Sequence, residues 1–436
     1  MNRPQASPKF LPRASGPLSR PLTPLRAQVG IDGYWWEDPA RLVLFFILPL
    51  YALISMDLLG TQKAIDHVYF DTFYAAAGGG FLLIVMAVAS MGRSGMPLPV
   101  RAAPPAEISP VVLDVVFLLA AGGYAVMMAG VIAHPALIFA FFDGSATAYD
   151  LLDMKGRIVG VSTLTQAAVA YVPLYFYVFR QRVRGINRYK LYLVLLVILT
   201  LLRSFIFAER LALVEIALPL ALMMVRFRRG VRRSKLLALG PFAAIVPMVA
   251  FFIANEYNRS WQTYYINVYD NIFDFAIERL ALYYSTALNN GAGILSILGW
   301  GDGSPMFTFD WLVRFPVIGS VFEPMMSSST AYDSFLNNYG NPEFNNPSGI
   351  FVHFYEWGWF AYLVAAFIGW VFSKSYAGWR SGDGFWCCAH AVLVVSLLEI
   401  LRIPNLFSGR NFVPLMLLFI VFRFLRKRTV IPARAD

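Results

Sequence analysis

An all-α, polytopic membrane protein is the fold class this sequence predicts, and three observations predict it. The 436 residues are 58% apolar and only 14% charged, with mean hydropathy +0.58, outside the range of soluble globular chains. Apolar runs of roughly 17–22 residues, the length a helix needs to cross a bilayer, recur along the whole chain. Short strips rich in Lys and Arg fall between alternate pairs of these runs, as cytoplasmic loops do.

Residues 1–41 form a basic arm rich in Pro, Ser and Arg, read as disordered and cytoplasmic. The arm has no apolar stretch before residue 42, so a cleaved signal peptide is not expected. Spans at 42–59, 72–92, 110–131, 158–179, 190–207, 208–225 and 236–254 make an N-terminal transmembrane bundle, residues 42–254. Within it, Gly78 to Gly80 read as close helix packing and Phe141-Phe142-Asp143-Gly144 as a loop start. Residues 255–348 follow as one large extracytoplasmic loop, then spans at 349–372, 384–401 and 411–425, and a basic cytoplasmic tail, 426–436. About ten helices result. The spans at 190–207 and 208–225 share a tight turn, so a re-entrant pair is the alternative to full crossing.

With the N-terminus inside, most of the 36 Lys and Arg fall on the cytoplasmic face. These include Arg93, Arg101, the strips Arg180 to Lys190 and Arg226 to Lys235, and Arg426, Lys427 and Arg428. The net charge of +10 is thus matched to anionic lipid headgroups rather than to nucleic acid. Cys387 and Cys388 are adjacent in an apolar run and can close no loop. His67, His134, His353 and His390 have no metal-ligand spacing, and neither a metal nor a cofactor is expected.

Between the two central basic strips, Arg203, Glu209, Arg210 and Glu215 occupy the far end of a helical hairpin. Charge there is costly and marks a functional site. If the helix runs on through the turn, Arg203 and Arg210 stand two turns apart on one face and form an oxyanion clamp suited to pyrophosphate. Glu209 would orient one of them. The plainer alternative is an ion pair that only satisfies buried charge.

The large loop holds Trp261, Tyr264, Tyr265, Tyr269, Tyr283, Tyr284, Trp300, Trp311, Tyr332 and Tyr339. Such rings either stack on sugars or anchor at the headgroups. Arg279, one of three basic residues there with Arg259 and Arg314, is a local ion-pair partner or a third phosphate ligand. Glu278 to Leu288 reads as a helix leading to Asn289, Asn290 and Gly291. His353 and Glu356 fall near the start of the next span, at the outer surface, and either can accept a hydroxyl proton; a helix-end cap is the alternative for His353. Arg402 and Arg410 frame the last outer loop, closing the anionic site or anchoring helix ends. No nucleotide-binding or hydrolase motif is present, so the energy for any reaction must arrive in the substrate.

Glu209-Arg-Leu-Ala-Leu-Val-Glu215, the loop with Glu278-Arg279-Leu280, and Asn346 to Gly358 (NPSGIFVHFYEWG) resemble the Wzy-type oligosaccharide repeat unit polymerases of bacterial surface polysaccharide (O-antigen and exopolysaccharide) assembly. The resemblance covers about residues 180–425. It implies a GT-C-like fold in the bacterial inner membrane, with both termini cytoplasmic. It also implies metal-independent glycosyl transfer from an undecaprenyl-pyrophosphate-linked oligosaccharide to a lipid-linked acceptor, with a chain-length regulator and a flippase as partners. The family's R-x10-G pattern is missed by one residue, because the glycine after Arg279 is Gly291. His353, Glu356 and Gly358 are also similar to the related O-antigen ligases, which makes a ligase the nearest competitor; a carrier of lipid-linked sugars is the competitor from another class. The implied site comprises His353, Glu356 and Arg210 for catalysis, with Arg203, Arg210, Arg279 and Arg410 on the pyrophosphate.

Overall fold

The computed structural model describes residues 33–427 except 61–64, 66, 93–106, 143–145, 147, 157, 159, 181–185, 228–234, 258–259, 262–264, 302–304, 314, 316–318, 320, 323–326 and 341. The arm before residue 33, Arg93, Arg101, much of both central basic strips, Asp143, Gly144, Arg259, Tyr264, Arg314 and the tail beyond Lys427 lie outside the described residues.

The principal helices are α1 (Pro39–Leu59), α2 (Thr72–Met91) and α3 (Val111–Ala133), α4 (Ala167–Arg180), α5 (Ile186–Ile206), α6 (Arg210–Phe227) and α7 (Gly240–Glu256). They continue as α8 (Ile272–Ile297), α9 (Ser327–Tyr339), α10 (Phe351–Trp357), α11 (Ala361–Ser381), α12 (Gly384–Leu398) and α13 (Gly409–Phe424). Among the described residues the extended structure is one short bridge, Glu107 and Ile108 against Lys427 and Arg426. The protein is an α-helical membrane protein. Five helical stretches are long and apolar enough to cross a bilayer: α1, α2, α3, Asn187–Ile206 and Phe351–Ser381. Their outward faces expose Phe45, Leu53, Phe73, Phe81, Val115, Leu118, Leu191, Ile198, Leu363 and Phe367, an apolar surface that water would penalise and lipid satisfies.

Several expected spans take another form. Residues 160–166, assigned to one span with 167–179, are a turn and a 3-10 segment, Ser162–Gln166, which leaves α4 with 14 residues. α7 and α12 are apolar but shorter than a full crossing helix. α12 is apolar on every side and sits at the centre: residues 387–397 are all buried. Its neighbouring cysteines face different halves of the interior, Cys387 toward the core of α1, α2, α8, α10 and α11, Cys388 toward that of α3, α4, α5 and α13. α11 packs along α2, and Gly369 allows this because a Cβ there would run into the Met86 backbone. Gly79 likewise admits the Tyr51 ring, in line with the close packing read from the glycine run.

The described residues of the segment 255–348 include long helices. Its main element is the 26-residue α8, which carries Asn289, Asn290 and Gly291 inside the helix and buried, correcting the expectation that the helix stops before them. Asn289 Oδ1 accepts from Tyr69 N at 2.7 Å and its amide donates to the His67 carbonyl at 2.8 Å. Asn290 donates to the Phe344 carbonyl at 2.7 Å. These buried amides replace backbone contacts that irregular segments cannot supply themselves.

Candidate functional site

α5 and α6 run side by side, and their linked ends lie opposite the helix ends that carry Arg188, Lys190 and Arg226. α5 stops at Ile206, and Ala208 turns the chain with φ 51°, a left-handed conformation that disfavours a residue with a Cβ. The helix therefore does not continue through the turn, and Arg203 and Arg210 do not form the shared-face pair expected from their spacing. Each enters a different charge network.

The first network gathers on Glu209, in the turn itself. Arg203 donates to Glu209 Oε2 from Nε at 2.8 Å and from Nη2 at 2.5 Å, and its Nη1 reaches Thr165 Oγ1 at 3.0 Å. Arg410, in the first turn of α13, donates to the same Oε2 at 3.1 Å and lies 3.7 Å from Glu215 Oε1. Lys155 pairs with Glu209 Oε1. Gln166 Nε2 donates to Glu215 Oε2 at 3.3 Å. Burial by itself would raise the Glu209 pKa, but Arg203, Arg410 and Lys155 outweigh it and hold the carboxyl at about 2. Lys155, Arg203 and Arg410 against Glu209 and Glu215 leave one positive charge in excess. Arg410 is the most accessible member, its side chain 29% exposed against 6% for Arg203. Glu209 thus pairs with Arg203 and joins it to Arg410 rather than to Arg210.

The second network is closed. Arg210 pairs with Glu256 at the end of α7 and donates to Tyr283 Oη at 2.9 Å, with its guanidinium over the rings of Phe252 and Tyr283 at 4.2 and 4.7 Å. Arg279 Nε lies 2.6 Å from the other Glu256 oxygen, and its Nη2 pairs with Glu343. Tyr265, Phe275 and Phe344 surround the Arg279 guanidinium. Arg279 is 3% exposed and Glu256 fully buried, so the ion-pair alternative for Arg279 is the one that the fold adopts. Arg210 and Arg279, offered by the sequence as phosphate ligands, are here balanced by Glu256 and Glu343, with aromatic faces against both guanidiniums.

His353 and Glu356 are both buried, 1% and 2% exposed. Glu356 accepts from Thr308 N at 3.1 Å, from Thr308 Oγ1 at 2.5 Å and from the Phe307 backbone, and Trp357 Nε1 donates to Thr308 Oγ1 at 3.0 Å. This carboxylate fastens the 307–308 turn to α10 and is engaged by two backbone N–H groups and a hydroxyl. His353 lines a small cavity with Ser396, Asn405 and Phe407, and its Nδ1 has no hydrogen-bond partner among the described residues. The turn that carries Asn405 leads directly into Ser408 and Arg410, so one short segment borders both the His353 cavity and the Glu209 network. Arg402, at the start of that segment, is held locally by Glu399 at 2.7 Å.

The sequence reading missed Lys155, Glu256, Glu343 and Asn405. Glu256 had a signal, since a lone carboxylate just after the apolar run Phe251 to Ala254 needs a cationic partner. Lys155 and Asn405 had none. Among the described residues no group of three or more His, Cys, Asp or Glu is placed to hold a metal ion. Comparison of the chain with family models, curated proteins and solved structures finds no match.

Proposed function

We propose that this protein is a membrane glycosyltransferase that polymerises lipid-linked oligosaccharide repeat units, taking the growing glycan from undecaprenyl pyrophosphate. One observation carries the reading: Arg203, Arg410 and Lys155 converge on Glu209 with positive charge in excess, at the hairpin end opposite Arg188, Lys190 and Arg226. On this reading that end is extracytoplasmic, both termini are cytoplasmic, and about ten segments cross or enter the bacterial inner membrane in a GT-C-like arrangement.

The leaving group of such a transfer is a diphosphate whose negative charge grows as the glycosidic bond breaks. Guanidinium and ammonium groups already fixed in place stabilise that charge without reorganising. Arg410 makes the first contact because its side chain is the most accessible; the first turn of α13, where it sits, adds the positive end of a helix dipole. Glu209 keeps the three cations together in the absence of substrate. His353, whose Nδ1 has no hydrogen-bond partner among the described residues, accepts the proton of an attacking hydroxyl that reaches into its cavity while the sugar ring stays outside. The repeat-unit motif around Asn346 to Gly358, which includes His353, supports the same assignment by resemblance.

Purified protein incubated with lipid-linked repeat unit alone tests the proposal. A ladder of lengthening products is expected. Product formed only when a glycolipid core is added would make the protein a ligase, and no product under either condition, with the lipid-linked sugar moved between leaflets, would make it a carrier.

A further inference from the structure

The His353 cavity lies between α10, α11, α12 and the turn at 403–407, and Ser396 and Asn405 line it together with apolar side chains such as Phe372 and Ile400. Two buried polar atoms on its lining side chains have no hydrogen-bond partner among the described residues, His353 Nδ1 and Asn405 Nδ2. Both residues are 1% exposed. A buried donor and a buried ring nitrogen left unmatched on one cavity mark a place for a guest that bonds both.

The orientation of Asn405 is set by its other contacts. Ser408 Oγ shares its one proton between Asn405 Oδ1 at 3.0 Å and the Asn405 carbonyl at 2.8 Å, and that carbonyl also accepts from Asn411 Nδ2 at 2.7 Å. The side-chain oxygen is thereby engaged and Nδ2 is the group left to donate. Ser396 Oγ accepts from Asn411 Nδ2, so its own proton is also available. The space is that of a single water-sized group. A sugar ring or a phosphate does not fit.

We propose that this cavity binds one hydroxyl oxygen, which accepts from Asn405 Nδ2 and donates its proton to a hydrogen bond with His353 Nδ1. The oxygen comes from water or from a hydroxyl arm of a bound sugar. The site goes beyond the transfer reaction proposed above and stands whether or not that reaction does. It fixes the His353 tautomer: Nδ1 accepts, and the ring proton of the neutral imidazole is on Nε2. Asn405 is a positioning residue, acting on His353 through the bound oxygen.

Nitrogen NMR of the full-length protein, labelled with 15N-histidine in lipid nanodiscs, tests this, with His353 assigned by the resonance lost in His353→Gln. The expected spectrum shows an unprotonated, hydrogen-bonded Nδ1 that shifts in Asn405→Leu, a variant of similar volume without the amide. A protonated Nδ1, or a resonance unmoved by Asn405→Leu, overturns the proposal. Magnetisation transfer to His353 from the water signal needs no variant and guards against misfolding of Asn405→Leu. Transfer in the protein alone identifies water as the guest. A change in Nδ1 only after an undecaprenyl-pyrophosphate-linked oligosaccharide is added identifies a sugar hydroxyl, and neither response refutes the site.

Discussion

Arg203 and Arg410 meet on a single oxygen, Oε2 of Glu209, at 2.5 and 3.1 Å. One belongs to the end of α5 and the other to the start of α13, so the carboxylate in the α5–α6 turn joins distant parts of the chain into one positively charged patch. Glu256 does the same for Arg210 and Arg279, with the more exposed Glu343 balancing the charge of Arg279. The four arginines that the sequence offered as one phosphate site are sorted by these two carboxylates into two pairs, and of the four only Arg410, 29% exposed, is readily accessible.

The sorting predicts unequal effects on activity. Arg410→Ala should lower the rate of polymer formation by about 100–1,000-fold, the loss expected on removing one preorganised charge-stabilising donor, while the protein still accumulates in the membrane. Quantifying product ladders from purified protein checks this. A wild-type ladder from Arg410→Ala would remove the Glu209 network from the mechanism.

Glu256→Ala should act on stability. It leaves two buried guanidiniums without their shared carboxylate, at a cost of about 3–5 kcal/mol. Thermal unfolding in detergent, followed by intrinsic fluorescence, measures it. The second substitution in Glu256→Ala/Arg279→Ala should cost much less than Arg279→Ala alone, because the two side chains share one interaction.

Glu356→Gln separates anchoring from catalysis. The carboxylate accepts two backbone N–H groups and a hydroxyl, so weakening it should cost about 1–3 kcal/mol and loosen the 307–308 turn. Limited proteolysis near Thr308 should quicken in step with the fall in thermal stability. A fully stable Glu356→Gln protein that makes no polymer would return this residue to the chemistry.

Acid should expose the Glu209 network. The folded-state value is depressed to about 2 from an ordinary 4.5, so the stability that Glu209 contributes is complete above about 4.5 and is lost as pH falls toward 2. Glu209→Gln should therefore be less stable than the parent at pH 7, with the difference shrinking below about pH 4.5. Thermal unfolding midpoints of both proteins at pH 7, 4 and 3 show whether it does.

Gly358 separates α10 from α11 with φ 54° and ψ −131°, a region closed to side chains bearing a Cβ. Gly358→Ala should cost about 1–3 kcal/mol, read as a lower unfolding midpoint, and no such loss is expected from alanine at Gly122, where a Cβ meets nothing.

Much of the fold was legible because lipid imposes a simple rule on sequence. Apolar runs near α1, α2, α3, α5 and the stretch from Phe351 onward could be read directly, since every backbone group in hydrocarbon must be satisfied within a helix. Runs such as 158–179 and 384–401 were harder, because a buried helix and a crossing helix are equally apolar; α12 is shielded by protein on all sides rather than by lipid. α8 was only partly visible, since its asparagines and glycines suggest a loop until the partners of Asn289 and Asn290 are known.

The sequence by itself determined that this is a helical membrane protein and which few charged residues sit where charge is costly, because hydropathy and charge are properties of residues read one at a time. Only the tertiary structure decided which charges are spent on each other. A left-handed turn at Ala208 and the arrival of Glu256, Lys155 and Arg410 from elsewhere in the chain parted Arg203 from Arg210. The physical reason is that ion pairing depends on distances of a few ångströms between segments whose relative placement no local pattern encodes.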